Sequence, residues 1–218
     1  MSSLGERFVD AIARRPSSWL GRRTYGDAPK AHEGSFRAVM EWLGPITVQE
    51  CLEIGFGGGV LVECALAADA TRVAGLDHSP DMVTVARQRN GAAVASGRAD
   101  LRLGDAGDLP WPEHSFDAAF SANMFFFIEE PERALGELFR VLRPGGRLVI
   151  ATMGAPLPAP SFRRWWLYGP MGRALRVYTD AEMAAMYEQA GFQDVRVEST
   201  GDSENGLCQM SRGFRPAW

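Results

Sequence analysis

From about residue 48 to 153, short apolar runs alternate with stretches whose apolar residues recur every three or four positions. CLEI (51–54), RVAGL (72–76), LRL (101–103), FDAAFSA (116–122) and RLVIATM (147–153) read as strands. PERALGELFRVL (131–142) is the clearest helix. Its Ala134, Leu135, Leu138, Val141 and Leu142 share one face, Pro131 suits a first turn, and the PGG that follows supplies a stop. Strands alternating with helices predict a parallel sheet covered on both faces.

The flanks differ. In GSFRAVMEWL (34–43), Phe36, Val39, Met40 and Leu43 form one helical stripe. TDAEMAAMYEQAG repeats that spacing at Met183, Met186, Tyr187 and Ala190, with Thr179 or Asp180 as cap and Gly191 as stop. DVRVEST and LCQMSRGF follow as a closing pair of strands. APLPAPSFRRWWLYGPMGRALRVY keeps neither period and reads as a cover. The chain divides accordingly into an N-terminal helical cover (1–45), a core (46–153), a lid insertion (154–178) and a C-terminal helix with two strands (179–218), all in one domain.

Composition narrows the classes. With 218 residues, 46% hydrophobic, the chain suits one domain with a sizeable core. No apolar run reaches the ~18–20 residues of a membrane span, and the N-terminus lacks a secretory leader's apolar core. Cys51, Cys64 and Cys208 form no CxxC pair, and the first two fall in core-like segments, which suggests reduced thiols, a cytoplasmic setting and no metal. A net charge of −4 argues against nucleic acid as partner. Arg7, Arg14, Arg15, Arg22 and Arg23 crowd the N-terminus and read as a solvated helix face, with a membrane-surface or anionic-ligand role the lesser alternative.

The candidate chemistry starts at EIGFGGG (53–59). This glycine cluster follows a buried strand and opens the helix VLVECALAA, where doubly wound folds bind nucleotide-like ligands. A dinucleotide loop of the form G-x-G-x-x-G starting at Gly55 would need a third glycine where Val60 stands. The pattern is instead E-x-G-x-G-x-G, through Glu53, Gly55, Gly57 and Gly59. Glu53 suits a cationic ligand better than a pyrophosphate. Asp77 ends the second strand, where a carboxylate can accept both hydroxyls of a ribose, and Ser79 with Pro80 reads as an N-cap and first turn. Asp105 ends the third, where it can accept from an exocyclic amine while the Ala106 amide donates to a ring nitrogen. Any one of these acids could be a loop carboxylate. Together with the glycines they fit adenine, ribose and a positively charged amino-acid tail.

LEIGFGGG, VAGLDHSPDMV, GDAGDLPW, FDAAFSANMFFFIEEPERALGELFRVLRPGGRLVI and AGFQDVRV, in that order, resemble a class I S-adenosylmethionine-dependent methyltransferase of the type 11, ubiquinone/menaquinone-biosynthesis-like branch, over roughly residues 45–200. The resemblance implies an α/β, Rossmann-like, doubly wound sheet of seven strands, mostly parallel with one antiparallel, and helices on both faces. It implies S-adenosylmethionine as cofactor and S-adenosylhomocysteine as product. Glu53, Gly55 and Gly57, with the intervening Phe56 and with Gly59, would hold the methionine part. Asp77 would take the ribose, and His78 and Met82 would lie near the adenosine. Gly104, Asp105 and Ala106 would read the adenine edge, and Ser121 to Asn123 would line the methyl end.

The activated methyl mainly needs an aligned nucleophile, with a general base only where the acceptor must lose a proton. His32 is the base candidate, Tyr25 a contact of the cover, and His114 a loop residue. SANM at the end of the fourth strand is not the D/N-P-P-Y/F of amino-group DNA methyltransferases, and no Pro-Cys nucleophile follows. Met124, Phe125, Phe126 and Phe127, with Trp165, Trp166 and Tyr168, suggest an apolar or aromatic acceptor pocket, or else packing of helices onto the sheet. The expected function is methyl transfer to a small hydrophobic metabolite, by a monomer or homodimer. A cyclase or binding module on the same fold is the alternative.

Overall fold

The computed structural model describes residues 29–155, 175–202 and 206–217. In chain order the elements are α1 (Pro29–Leu43), β1 (Glu50–Ile54), α2 (Val60–Ala67), β2 (Arg72–Asp77), α3 (Pro80–Arg89), α4 (Gly91–Ala95), β3 (Ala99–Leu103), β4 (Phe116–Ala122), a 3₁₀ turn (Phe125–Phe127), α5 (Pro131–Val141), β5 (Leu142–Met153), α6 (Asp180–Gln189), β6 (Gln193–Asp202) and β7 (Gly206–Phe214). The seven strands form one sheet in the order β3-β2-β1-β4-β5-β7-β6. β1 to β5 pair in parallel, while β7 runs antiparallel to both β5 and β6. The expected doubly wound architecture is therefore present, including its single reversed strand.

Two cores follow from the period-2 alternation of side chains along each strand. Cys51, Val73, Phe120, Val149 and Met210 face α1, α2 and α3, where Val39, Leu43, Leu61, Val62 and Val83 meet them. Leu52, Ile54, Leu76, Leu148 and Ile150 face the other way, onto Leu135, Leu138, Met183, Met186 and Tyr187 of α5 and α6. The buried Tyr187 hydroxyl is satisfied by Ser211 Oγ at 3.1 Å. From Val39 onward α1 is core packing, so a cover from this end of the chain can use only what precedes it.

Caps match the sequence reading. Ser79 caps α3 with Pro80 in its first turn. Thr179 caps α6 in a reciprocal box: Thr179 Oγ1 accepts from the Glu182 N–H and the Glu182 carboxylate accepts from the Thr179 N–H.

Three features depart from the sequence reading. β5 begins at Leu142, directly after α5, so PGG lies inside the strand as a bulge opposite Phe116 to Ala118. The bulge is stable because Gly145 takes a φ of 78° and the Gly145 and Arg215 N–H groups bond across to Arg215 and Gly146 carbonyls. Cys64 is not a core residue: Cys51 is buried, whereas Cys64 lies exposed on the outer face of α2. The short α4 buries nothing fully and left no periodic trace.

Candidate functional site

Strand order reverses between β1 and β4, and the crevice this creates at their carboxyl ends is where doubly wound sheets take ligands. The loop from Gly55 to Gly59 forms its floor. Gly55, Gly57 and Gly59 all adopt left-handed φ values of 72°, 49° and 76°, a region closed to most side chains. Their surroundings differ. A Cβ on Gly59 would stand 2.7 Å from Asn90 Nδ2 and 2.8 Å from Ala86 Cβ, so that glycine serves the packing of α3 against the loop. A Cβ on Gly55 would run into the Met124 side chain. Around Gly57 there is nothing within 4 Å. Only Gly57 is bare toward open space.

α3 pins this loop from behind, with Arg89 Nε donating to the Gly58 carbonyl at 2.8 Å and Asn90 Nδ2 to that of Gly59 at 3.0 Å. From the front, Asp77 fastens it. Its carboxylate accepts from the Gly57 N–H and from the Ser79 N–H, each at 2.9 Å. Burial raises the Asp77 pKa, opposed by those two N–H groups and by His78, whose Nδ1 lies 3.8 Å away.

Glu53 is the anomaly of the site. It is only 2% exposed, and its Oε2 has no hydrogen-bond partner among the described residues. Desolvation, then the Asp77 charge, push its pKa up to about 8, against a lowering contact from the Val62 backbone. Of the two acids, Glu53 holds the proton, because Asp77 has two N–H donors to stabilise its charge. A buried carboxyl oxygen without a partner is costly unless something else occupies the site.

The other expected site residues separate into two groups. The Asp105 carboxylate is exposed and accepts from the Gly107 N–H at 2.7 Å, with the half-buried Ala106 beside it. His78 is half-buried at the end of β2. Phe56, by contrast, is buried in the α1–α3 core, and Met82 is buried in α3. Gly104 is bare to clear Leu76, whose Cδ1 would stand 2.6 Å from a Cβ there. These three shape the site from behind.

At the end of β4, Ser121 is buried and its Oγ has no partner among the described residues. Asn123 follows in a left-handed conformation, φ 57°, and its amide meets Ser35 and His32 of α1. His32 is thus brought to the strand end. Burial lowers its pKa, which favours the neutral ring. His114 sits in an exposed turn. Of the aromatic run, Phe125 is packing: it is fully buried, with its ring 6.3 Å from Tyr178. Phe126 is also buried, whereas Phe127 and Met124, the latter against Gly55, are half-buried. Tyr25, Trp19, Trp165, Trp166 and Tyr168 lie outside the described residues.

Sequence reasoning missed Ser35 and Leu103. Ser35 is an ordinary serine in a helical stretch, and only the fold sets it against Asn123. Leu103 is 54% exposed at the end of β3, in register with Asp77. An exposed leucine beside a candidate ligand carboxylate is a signal visible only once the strand pairing is known.

A family model described as a methyltransferase domain matches residues 52–150. The chain is 31% identical over 196 residues to the demethylmenaquinone methyltransferase of Tropheryma whipplei (strain Twist), an alignment spanning 81% of this chain and 80% of that protein. The chain belongs to the class I S-adenosylmethionine-dependent methyltransferases, in the type 11 branch. This methyltransferase is also 29% identical over 201 residues to the demethylmenaquinone methyltransferase of Clavibacter sepedonicus, covering 83% of this chain and 79% of that one. Its fold matches the solved phosphoethanolamine N-methyltransferase 2 of Haemonchus contortus with a TM-score of 0.79 at 19% identity. That match takes in 99% of this methyltransferase but 61% of the larger chain. No helix among the described residues is long and apolar enough to cross a membrane.

Proposed function

We propose that this methyltransferase holds S-adenosylmethionine across the β1–β4 crevice and passes its methyl group to a small, apolar or aromatic metabolite. The observation that carries the reading is Glu53, buried with its Oε2 unpartnered among the described residues, on the strand that leads into a loop where Gly57 has open space around it. The cofactor's amino-acid ammonium is the group that Glu53 lacks. Gly57 lets the methionine part lie against the backbone, with Gly55 beside it under Met124, and the Asp77 carboxylate, already facing the loop, takes the ribose hydroxyls. His78 flanks the adenosine, and Asp105 with the Ala106 amide reads the adenine edge. Asn123 and Met124 face the sulfonium end.

In this reading the protein contributes alignment. Holding the acceptor in line with the S–CH₃ bond and excluding water supplies about 7–11 kcal/mol of the barrier reduction. Met124 and Phe127 give the acceptor an apolar wall, and residues 1–38 and 154–178 are the proposed source of its remaining contacts. Both demethylmenaquinone relatives are named for a quinone acceptor, which fits an aromatic, hydrophobic metabolite.

Asp77→Ala is expected to weaken cofactor binding by about 1–3 kcal/mol, ~5- to 150-fold in Kd, as charge-assisted bonds to two hydroxyls are lost. Calorimetry with S-adenosylhomocysteine checks this, and an unchanged Kd in a folded variant contradicts the ribose assignment. For the acceptor, the protein is incubated with methyl-labelled cofactor and a whole-cell extract containing metabolites, protein and RNA, and label is followed by mass detection. Label should appear in one or a few small organic-soluble products. Recovery of the label in protein or RNA instead would sink the small-metabolite reading.

A further inference from the structure

The end of β4 and α1 share a hydrogen-bonded clasp. Asn123 is fixed by its backbone N–H, which donates to the Ala151 carbonyl at 2.8 Å, and by a left-handed conformation that asparagine tolerates better than most residues. Its Nδ2 donates to Ser35 Oγ at 2.8 Å and lies 3.1 Å from His32 Nδ1. The Ser35 hydroxyl spends its own hydrogen on the His32 carbonyl, at 3.0 Å. Ser35 Oγ can therefore only accept from Asn123. That requirement places the amide nitrogen, not its oxygen, toward α1. An NH₂ group has two hydrogens: one goes to Ser35 Oγ and the other to His32 Nδ1.

A ring nitrogen that accepts a hydrogen bond carries no proton of its own, so a neutral His32 must carry its hydrogen on Nε2. We infer that Asn123 is a positioning residue that fixes His32 in its Nε2–H tautomer, so that His32 offers the methyl acceptor a hydrogen-bond donor rather than a base. The chemical meaning of this clasp rests on the methyltransferase reading above; its geometry does not.

The consequence concerns the acceptor's chemistry. A donor at this position suits a substrate with an anionic or carbonyl oxygen at or next to the methylated atom, such as a phenolate or an enolate. The acceptor arrives already ionised, its proton having gone to solvent. Its electron pair forms the new bond to the methyl carbon, the S–CH₃ bond breaks, and that pair returns to sulfur. Anion plus sulfonium give two neutral products, and His32 neither takes nor returns a proton.

The tautomer can be read directly by long-range ¹⁵N–¹H correlation NMR on protein labelled with ¹⁵N-histidine, near neutral pH and without ligand. His32→Gln identifies the His32 signals against those of His78 and His114. Expected are an unprotonated Nδ1 and a protonated Nε2. Asn123→Asp, which tolerates the same backbone and presents an acceptor in place of the amide, should move the proton to Nδ1. A wild-type ring protonated at Nδ1, or on both nitrogens, overturns the proposal, as does an unchanged tautomer in Asn123→Asp. Binding of S-adenosylhomocysteine, measured on the same sample, reports on the cofactor reading independently.

Discussion

Gly57→Val is expected to abolish detectable cofactor binding, raising the Kd of S-adenosylhomocysteine by ~100-fold or more, about 2.7 kcal/mol. Its Cβ would project into open space that neither α3 nor Met124 closes, and that space is where the proposed ligand lies against the backbone. Strain is the competing explanation. A β-branched residue at φ 49° costs about 1–2 kcal/mol of stability wherever it occurs. Gly97 supplies the control, since it also has positive φ, 76°, with nothing within 4 Å, and it follows α4, outside the loop. Gly97→Val should lower the melting temperature by a similar amount and leave the Kd unchanged. If Gly57→Val binds like the parent, or if both variants lose binding together, the loop is not where the cofactor lies.

Glu53 should couple binding to protons. In the free protein it stays protonated up to pH about 8, and the arriving ammonium replaces the missing partner and favours the carboxylate. Binding below that pH therefore expels a proton, and Kd falls as pH rises, about tenfold per unit between pH 6 and 7.5. Above pH ~8 the effect ends, because Glu53 ionises unaided. The free protein shows the opposite trend. Its folded-state pKa is raised, so the native state binds more protons than the unfolded one, and Glu53 costs stability as pH climbs from about 4.5 to 8. Calorimetry in buffers of differing ionisation enthalpy should find about one proton released at pH 6.5 and none from Glu53→Gln, which also binds more weakly. Equal proton release by the variant removes Glu53 from the cofactor site.

Much of this was legible in the chain. Parallel strands buried on both faces read as short apolar runs, and the helices carry their own start signals at Ser79, Pro131 and Thr179. The acid at each of three successive strand ends located the crevice. What the sequence hid depends on partners distant along the chain. The E-x-G-x-G-x-G spacing shows that glycines are required, but not that Gly59 serves Ala86 and Asn90 of α3 while Gly57 faces open space. PGG is a stop signal by its local chemistry, yet Arg215 pairs with Gly145 and Gly146 and turns it into a bulge. Phe125 and Phe127 look alike in the run MFFF, yet of the two only Phe125 is buried, against Tyr178. His32 could be suspected as a base from its place over the pocket, but its tautomer depends on Asn123, 91 residues away.

A crystal structure of the protein with S-adenosylhomocysteine bound bears most directly on the central assignment, the cofactor in the β1–β4 crevice. It should show the ribose hydroxyls within hydrogen-bond distance of the Asp77 carboxylate, the ligand's ammonium at Glu53 and its chain lying over Gly57. A ligand seated elsewhere, with Glu53 still without a partner, would contradict it.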